Sequence, residues 1–144
     1  PMETRAHVAL AGTFGYELDI TKLTEEEKQK TAGFNRLYHQ YNDLVREGDY
    51  YRIASYRENG MYDCWQVVSS DRKESLVTYV QVRYESDRNS VRLKLDGLDP
   101  KARYRLEGTR EIYSGEMLMN AGFLQDMIFG DYGSRLLHFM AENR

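Results

Sequence analysis

The sequence predicts a mainly β fold: an antiparallel β-sandwich preceded by a single strand–helix unit. Three observations carry this. From residue 50 onward, short runs rich in aromatic and β-branched residues recur at roughly ten-residue spacing, with polar turns between them. Before Gly48, one long segment places its apolar residues at helical spacing. Just ahead of it, Gly12-Thr13-Phe14-Gly15-Tyr16-Glu17-Leu18-Asp19 alternates with strand period. Strand followed by helix is the repeating unit of an α/β fold, yet nothing later in the chain repeats it.

The elements follow in order. Residues 4–11 can form a short helix, with Thr4 as a cap and Ala6, Val8, Ala9 and Leu10 as its apolar surface. Phe14, Tyr16 and Leu18 alternate with Gly15, Glu17 and Asp19, which predicts a strand over 13–19. Thr24 followed by Glu27 is a capping box, and Glu25, Glu26 and Glu27 suit the positive end of a helix dipole. Phe34, Leu37, Tyr38, Tyr41, Leu44 and Val45 share one helical face. Gly48 stops the run, so a helix is predicted over 24–47. Strands are then predicted at 50–56, 64–69, 76–84, 91–95, 104–106, 111–113, 116–119 and 136–140. Asn59-Gly60 reads as a tight turn, because both residues tolerate positive φ. Ser70-Asp71-Arg72-Lys73 and residues 86–90 read as polar turns. Val91, Leu93 and Leu95 alternate with Arg92, Lys94 and Asp96, so that strand has one buried and one wet face.

Composition narrows the partners. The chain has 144 residues, with 20 Lys and Arg against 23 Asp and Glu, a net charge of −3. Charges of both signs are interleaved, which gives no electrostatic reason to expect nucleic acid or an anionic membrane. No apolar run approaches the ~20 residues of a membrane span. The single cysteine, Cys64, excludes a disulfide framework within one chain. It fits a reducing compartment, and a cytoplasmic location is expected. The first residues read as the middle of something larger, so a piece of a longer protein is expected.

Several segments together resemble the C-terminal end of a family 36 glycoside hydrolase, the bacterial α-galactosidases. They are Glu3-Thr4-Arg5-Ala6-His7-Val8-Ala9, Phe14-Gly15-Tyr16-Glu17-Leu18-Asp19, and Leu23-Thr24-Glu25-Glu26-Glu27. Tyr50-Tyr51-Arg52, Trp65, Leu95-Asp96-Gly97-Leu98-Asp99-Pro100 with Tyr104, and residues 114–122 also fit. The resemblance covers nearly the whole chain. It implies that residues 1–48 are the last strand and helix of a truncated (β/α)8 barrel. Residues 49–144 are then the antiparallel β-sandwich C-terminal domain. The parent is expected to hydrolyse terminal α-galactosides of oligosaccharides with retention, using no cofactor or metal. The family's nucleophile lies in a Lys-Trp-Asp type motif and its acid/base in a Ser-His-Val-Ser-Asp type motif. Neither occurs here: the only tryptophan is Trp65, flanked by Cys64 and Gln66, and no Ser-His pair exists. No catalytic, cofactor or metal residue is therefore assigned, and the chain alone is expected to be inactive. The expected partner is the missing catalytic barrel.

Several other residues admit a second reading. Glu17 and Asp19, two apart on a strand, would point to one face ~7 Å apart, which is wider than a retaining pair requires and inside the inverting range. A polar pair at a barrel end fits them better. His7, His39 and His138 fall in three segments with no i,i+4 partner, so metal ligation is not expected. Twelve tyrosines and Trp65 raise the alternative of a self-standing carbohydrate-binding module. Aromatic residues filling a sandwich core explain them as well. Met117, Met119 and Met127 read as gap-filling residues, and Cys64 as a small buried hydrophobe. Without its barrel neighbours, helix 24–47 is expected to pack against the sandwich. Alternatively, residues 1–23 are mobile or shared between copies in a homo-oligomer.

Overall fold

The computed structural model describes residues 1–12, 14–15 and 19–143. As expected, the fold is mainly antiparallel β. Helix α1 (Met2–Ala9) and a 3-10 turn (Ile20–Lys22) precede the long helix α2 (Glu25–Glu47). Then come β1 (Asp49–Ala54), the one-turn α3 (Tyr56–Asn59), β2 (Tyr62–Val68), β3 (Glu74–Gln81), β4 (Ser90–Leu93) and β5 (Arg103–Leu106). The chain continues through β6 (Ile112–Ser114), α4 (Gly115–Asn120), β7 (Phe123–Asp126) and β8 (Gly133–Ala141).

Six strands form one sheet in the order β1-β2-β3-β8-β5-β6, and β4 pairs with β7 in a second, smaller sheet. Every strand pairing is antiparallel. Strand alternation gives the large sheet two different faces. Cys64, Val77, Tyr79, Leu137 and Phe139 point inward to the main core, where Leu93, Phe123 and Leu118 of the small sheet and α4 meet them. Val67, Leu76 and Leu136 point outward and are covered by Tyr41 and Leu44 of α2. Strand β3 is therefore buried along both faces, and its run Leu76–Gln81 is closed to solvent throughout. Burying side chains of the Tyr41 and Leu44 kind contributes about 1.5–3 kcal/mol each to holding α2 on the sheet. Thus α2 packs against the sandwich, as its apolar face predicts.

The α2 N-terminus has the expected capping box: the Thr24 hydroxyl accepts from Glu27 N–H and the Glu27 carboxylate accepts from Thr24 N–H. Elsewhere the structure differs from the sequence reading. Residues 116–119 are helical, not a strand, because the Ser114 hydroxyl caps the segment by accepting from Met117 N–H. Gly115 permits this tight entry, since a Cβ there would overlap the Asp99 carbonyl oxygen. Asn59 and Gly60 do form a tight turn with Gly60 at φ +72°, but it closes the one-turn α3, and the Asn59 side chain accepts from Met61 and Tyr62 N–H. The first sheet strand ends at Ala54 and β3 at Gln81, both short of their expected limits. Strand β7 is an addition. Thr4 lies inside α1, with Pro1 at the N-cap. Of the strand expected over 13–19, Thr13, Tyr16, Glu17 and Leu18 lie outside the described residues. Phe14, Gly15 and Asp19 are not in a strand.

Candidate functional site

The polar side chains that join the helices to the fold lie on the outer face of the large sheet, where α1 and α2 rest. Two clusters form there. In the first, α1 meets β8. His7 and Ser134 are both buried, and His7 Nδ1 lies 2.8 Å from Ser134 Oγ. Ser134 Oγ donates to Thr4 Oγ1 at 3.0 Å, and Thr4 Oγ1 donates to the Tyr132 carbonyl at 2.6 Å. With its only proton given to Thr4, Ser134 accepts from His7, which assigns the proton to Nδ1. Burial, the largest influence, lowers the His7 pKa from its ordinary value; Glu3 opposes the shift and Arg135 adds to it.

The second cluster joins α2 to the sheet. His138 on β8 is buried between two carboxylates: Nδ1 lies 2.6 Å from Glu107 and Nε2 2.8 Å from Glu74. The Tyr41 ring meets the imidazole edge-on, with ring centroids 5.0 Å apart. Its hydroxyl donates to Glu107 at 3.3 Å. Burial first, then the Glu107 carboxylate, hold the Tyr41 phenol well above its ordinary range, so it remains a donor. Both clusters satisfy buried polar groups while pinning a helix to the sheet.

The residues weighed from sequence are scattered. Asp19 is exposed and caps the 3-10 turn, accepting from Thr21 N–H and Oγ1–H. These bonds hold its carboxyl below the usual carboxylate range, the reverse of what a general acid needs. Glu17 lies outside the described residues. His39 is exposed on α2 and its ring lies edge-on to Tyr38. Among the described residues no group of three or more His, Cys, Asp or Glu side chains could hold a metal ion. Cys64 is fully buried, and burial pushes its thiol up to about 12. Tyr79 and Tyr104 are fully buried in the core, whereas Tyr50 on the edge strand is 55% exposed. The clusters around His7 and His138 could not be read locally, because Ser134 lies 127 positions from His7 and Glu74 lies 64 from His138.

Comparison with known proteins accounts for this arrangement. The glycosyl hydrolase family 36 C-terminal domain matches residues 62–139, and the melibiase family matches residues 1–48. The chain belongs to glycosyl hydrolase family 36. The α-galactosidase AgaA of Geobacillus stearothermophilus is 46% identical over 121 residues, 84% of this chain and 16% of the relative. The α-galactosidase Mel36A of Lactobacillus acidophilus is 34% identical over 143 residues, 99% of this chain and 19% of the relative. The crystal structure of family 36 AgaA covers 99% of this chain and 20% of its own with a TM-score of 0.93 at 41% identity. The α-galactosidase structure from Lactobacillus brevis covers 100% and 20% with a TM-score of 0.94 at 32% identity. The chain thus spans about a fifth of these family 36 relatives. Its α1 and α2 fall in the melibiase-matched part, and its strands β2 to β8 in or across the C-terminal-domain part.

Proposed function

We propose that this chain is the structural C-terminal part of an α-galactosidase, and that the whole protein hydrolyses terminal α-galactosides with retention. Residues 1–48 are then the end of the catalytic (β/α)8 barrel, and residues 49–144 the C-terminal domain that braces it. The observation that carries the reading is collinearity: family 36 α-galactosidase structures follow 99% of this chain, through the helices and the sheet alike. The polar clusters at His7 and His138 support it, because each ties a melibiase-matched helix to the sheet. The chain by itself is non-catalytic. A cytoplasmic location is part of the same proposal, supported by the buried free thiol of Cys64. Self-association through residues 1–23 is proposed for the 144-residue chain on its own, where the barrel neighbours of that segment are absent.

Hydrolysis of a chromogenic α-galactoside tests this, run in parallel on the 144-residue chain and on the full-length polypeptide. Turnover by the full-length protein alone, with α-galactose as the first anomer released, is the expected result. Turnover by the 144-residue chain, or none by the full-length protein, would overturn the proposal. A second reading as a sugar-binding surface draws on one observation. Exposed Tyr50 lies on the same face as Trp65 and the Arg52–Asp63 ion pair. Calorimetry of this chain with raffinose decides it: saturable heat would favour the surface, and no heat would leave the bracing role.

A further inference from the structure

The loop joining β7 to β8, residues 127–132, carries the most exposed large apolar side chain of the described residues. Phe129 is 91% exposed, and the Tyr84 ring lies beside it at 5.4 Å between centroids. An aromatic residue held out in water is ordinarily carried by a mobile loop, but this loop is held from below. The fully buried Gln81 side chain donates to the Ile128 and Gly130 carbonyls at 2.6 and 2.7 Å, and accepts from Ile128 N–H at 2.9 Å. Asp131 accepts from Tyr84 N–H at 2.7 Å. Ile128 sits where a Cβ on Gly133 would go, so the loop closes onto β8 without room to shift. Tyr132 takes φ +59°, an uncommon backbone for a tyrosine, and its carbonyl is held by Thr4 of α1. A rigidly supported, solvent-facing aromatic is the pre-organised kind of side chain that anchors an interface.

The surroundings name its occupant. Beside the loop, half-exposed Tyr132 and Val8 border an apolar groove of about 480 Å³ lined by Pro1, Thr4, Arg5, Val8, Ala9 and Tyr132. Five of these six belong to α1 and its cap, within the melibiase-matched residues. Tyr132, at the end of the loop that carries Phe129, lines the groove and takes part in the seam where α1 docks on β8. In relatives about five times as long, most of the polypeptide lies outside the part matched here. We propose that loop 127–132, with Phe129 as its anchor, and the outer groove of α1 form one docking surface for the remainder of the catalytic domain of the same polypeptide. This rests on the reading of the chain as part of a larger family 36 enzyme. It adds that the C-terminal domain grips the barrel by a second contact, besides the one that α1 and α2 already make.

Thiol labelling tests it, because Cys64 is buried and silent. Phe129→Cys is placed in the 144-residue chain and in the full-length polypeptide, and maleimide labelling at position 129 is followed by mass spectrometry. The thiol should react at the rate of an open cysteine in the 144-residue chain. In the full-length protein it should react about 100-fold more slowly, as a site that must open first, and remain protected on dilution. Equal rates in both proteins would overturn the proposal. So would protection that vanishes on dilution, since a second copy would then be the cover. Phe129→Ala gives an independent arm: the melting temperature of the short chain should stay unchanged and that of the full-length protein should fall. No change in either would also overturn it. Labelling reads burial without reference to hydrolysis, so protection at position 129 in a full-length protein inactive on α-galactosides would uphold the docking and overturn only the assigned activity.

Discussion

Gln81→Leu isolates the support of the 127–132 loop. The wild-type side chain uses both amide protons on loop carbonyls, and its oxygen accepts from Ile128 N–H and from the Tyr79 hydroxyl at 3.2 Å. Leucine has similar length and fills the space, so the change removes polar partners more than volume. Three bonds to loop backbone, at about 1 kcal/mol each, set a loss of about 3 kcal/mol. For a chain of this size that corresponds to a fall of roughly 6–12 °C in melting temperature. Urea denaturation and amide exchange should report together: a lower midpoint, and faster exchange at Ile128. A variant within about 0.5 kcal/mol of wild type, with Ile128 exchange unchanged, would refute the reasoning, because the loop would then be held by something other than Gln81.

Three further outcomes are expected. His7 has a folded-state pKa below its ordinary 6.5, so its contribution to stability is complete above about pH 6.5. That contribution falls as pH drops from there toward the lowered value, and thermal unfolding of wild type against His7→Gln should show the difference narrowing across that window; a pH-independent difference would refute it. Cys64, buried with its thiol pushed up to about 12, should label at pH 8 only under unfolding conditions, and labelling at the rate of a free peptide thiol would refute its burial. Gly115→Ala should cost about 2 kcal/mol in urea, because the new methyl must displace the Asp99 backbone; an unchanged midpoint would show that the turn has slack.

The structure shows which parts of this fold were written locally. Helix α2 was legible in full, since its capping box spans four residues and its apolar face is read within the helix itself. Strand β4 was legible because its alternation of Val91 and Leu93 with exposed Arg92 is a pattern in one short run. Strand β7 was not, since one of its two inward residues is Gln125, a polar side chain that the fold buries. The helix at Gly115–Asn120 hid behind methionines and leucine that suit a strand equally well. The candidate site was the least legible part. The clusters of His7 with Ser134 and of His138 with Glu74 and Glu107 join residues from elements far apart in the chain. Only the sheet register, which pairs β3 with β8, brings Glu74 and His138 to one face.

The bond from Thr4 to Tyr132 spans 128 positions. On a ribosome adding roughly 5–20 residues each second, Thr4 is made about 6–26 s before its partner. Through that interval α1 lacks β8, on which it mainly rests, and Tyr41 and Leu44 of α2 are not fully covered until β2, β3 and β8 assemble. The last strand to leave the tunnel here is a central one, flanked by β3 and β5. A nascent chain that stalls before Gly133 therefore presents an open sheet centre and two unseated helices to the cell's chaperones and proteases. The large sheet therefore cannot close until Gly133–Ala141 has been made.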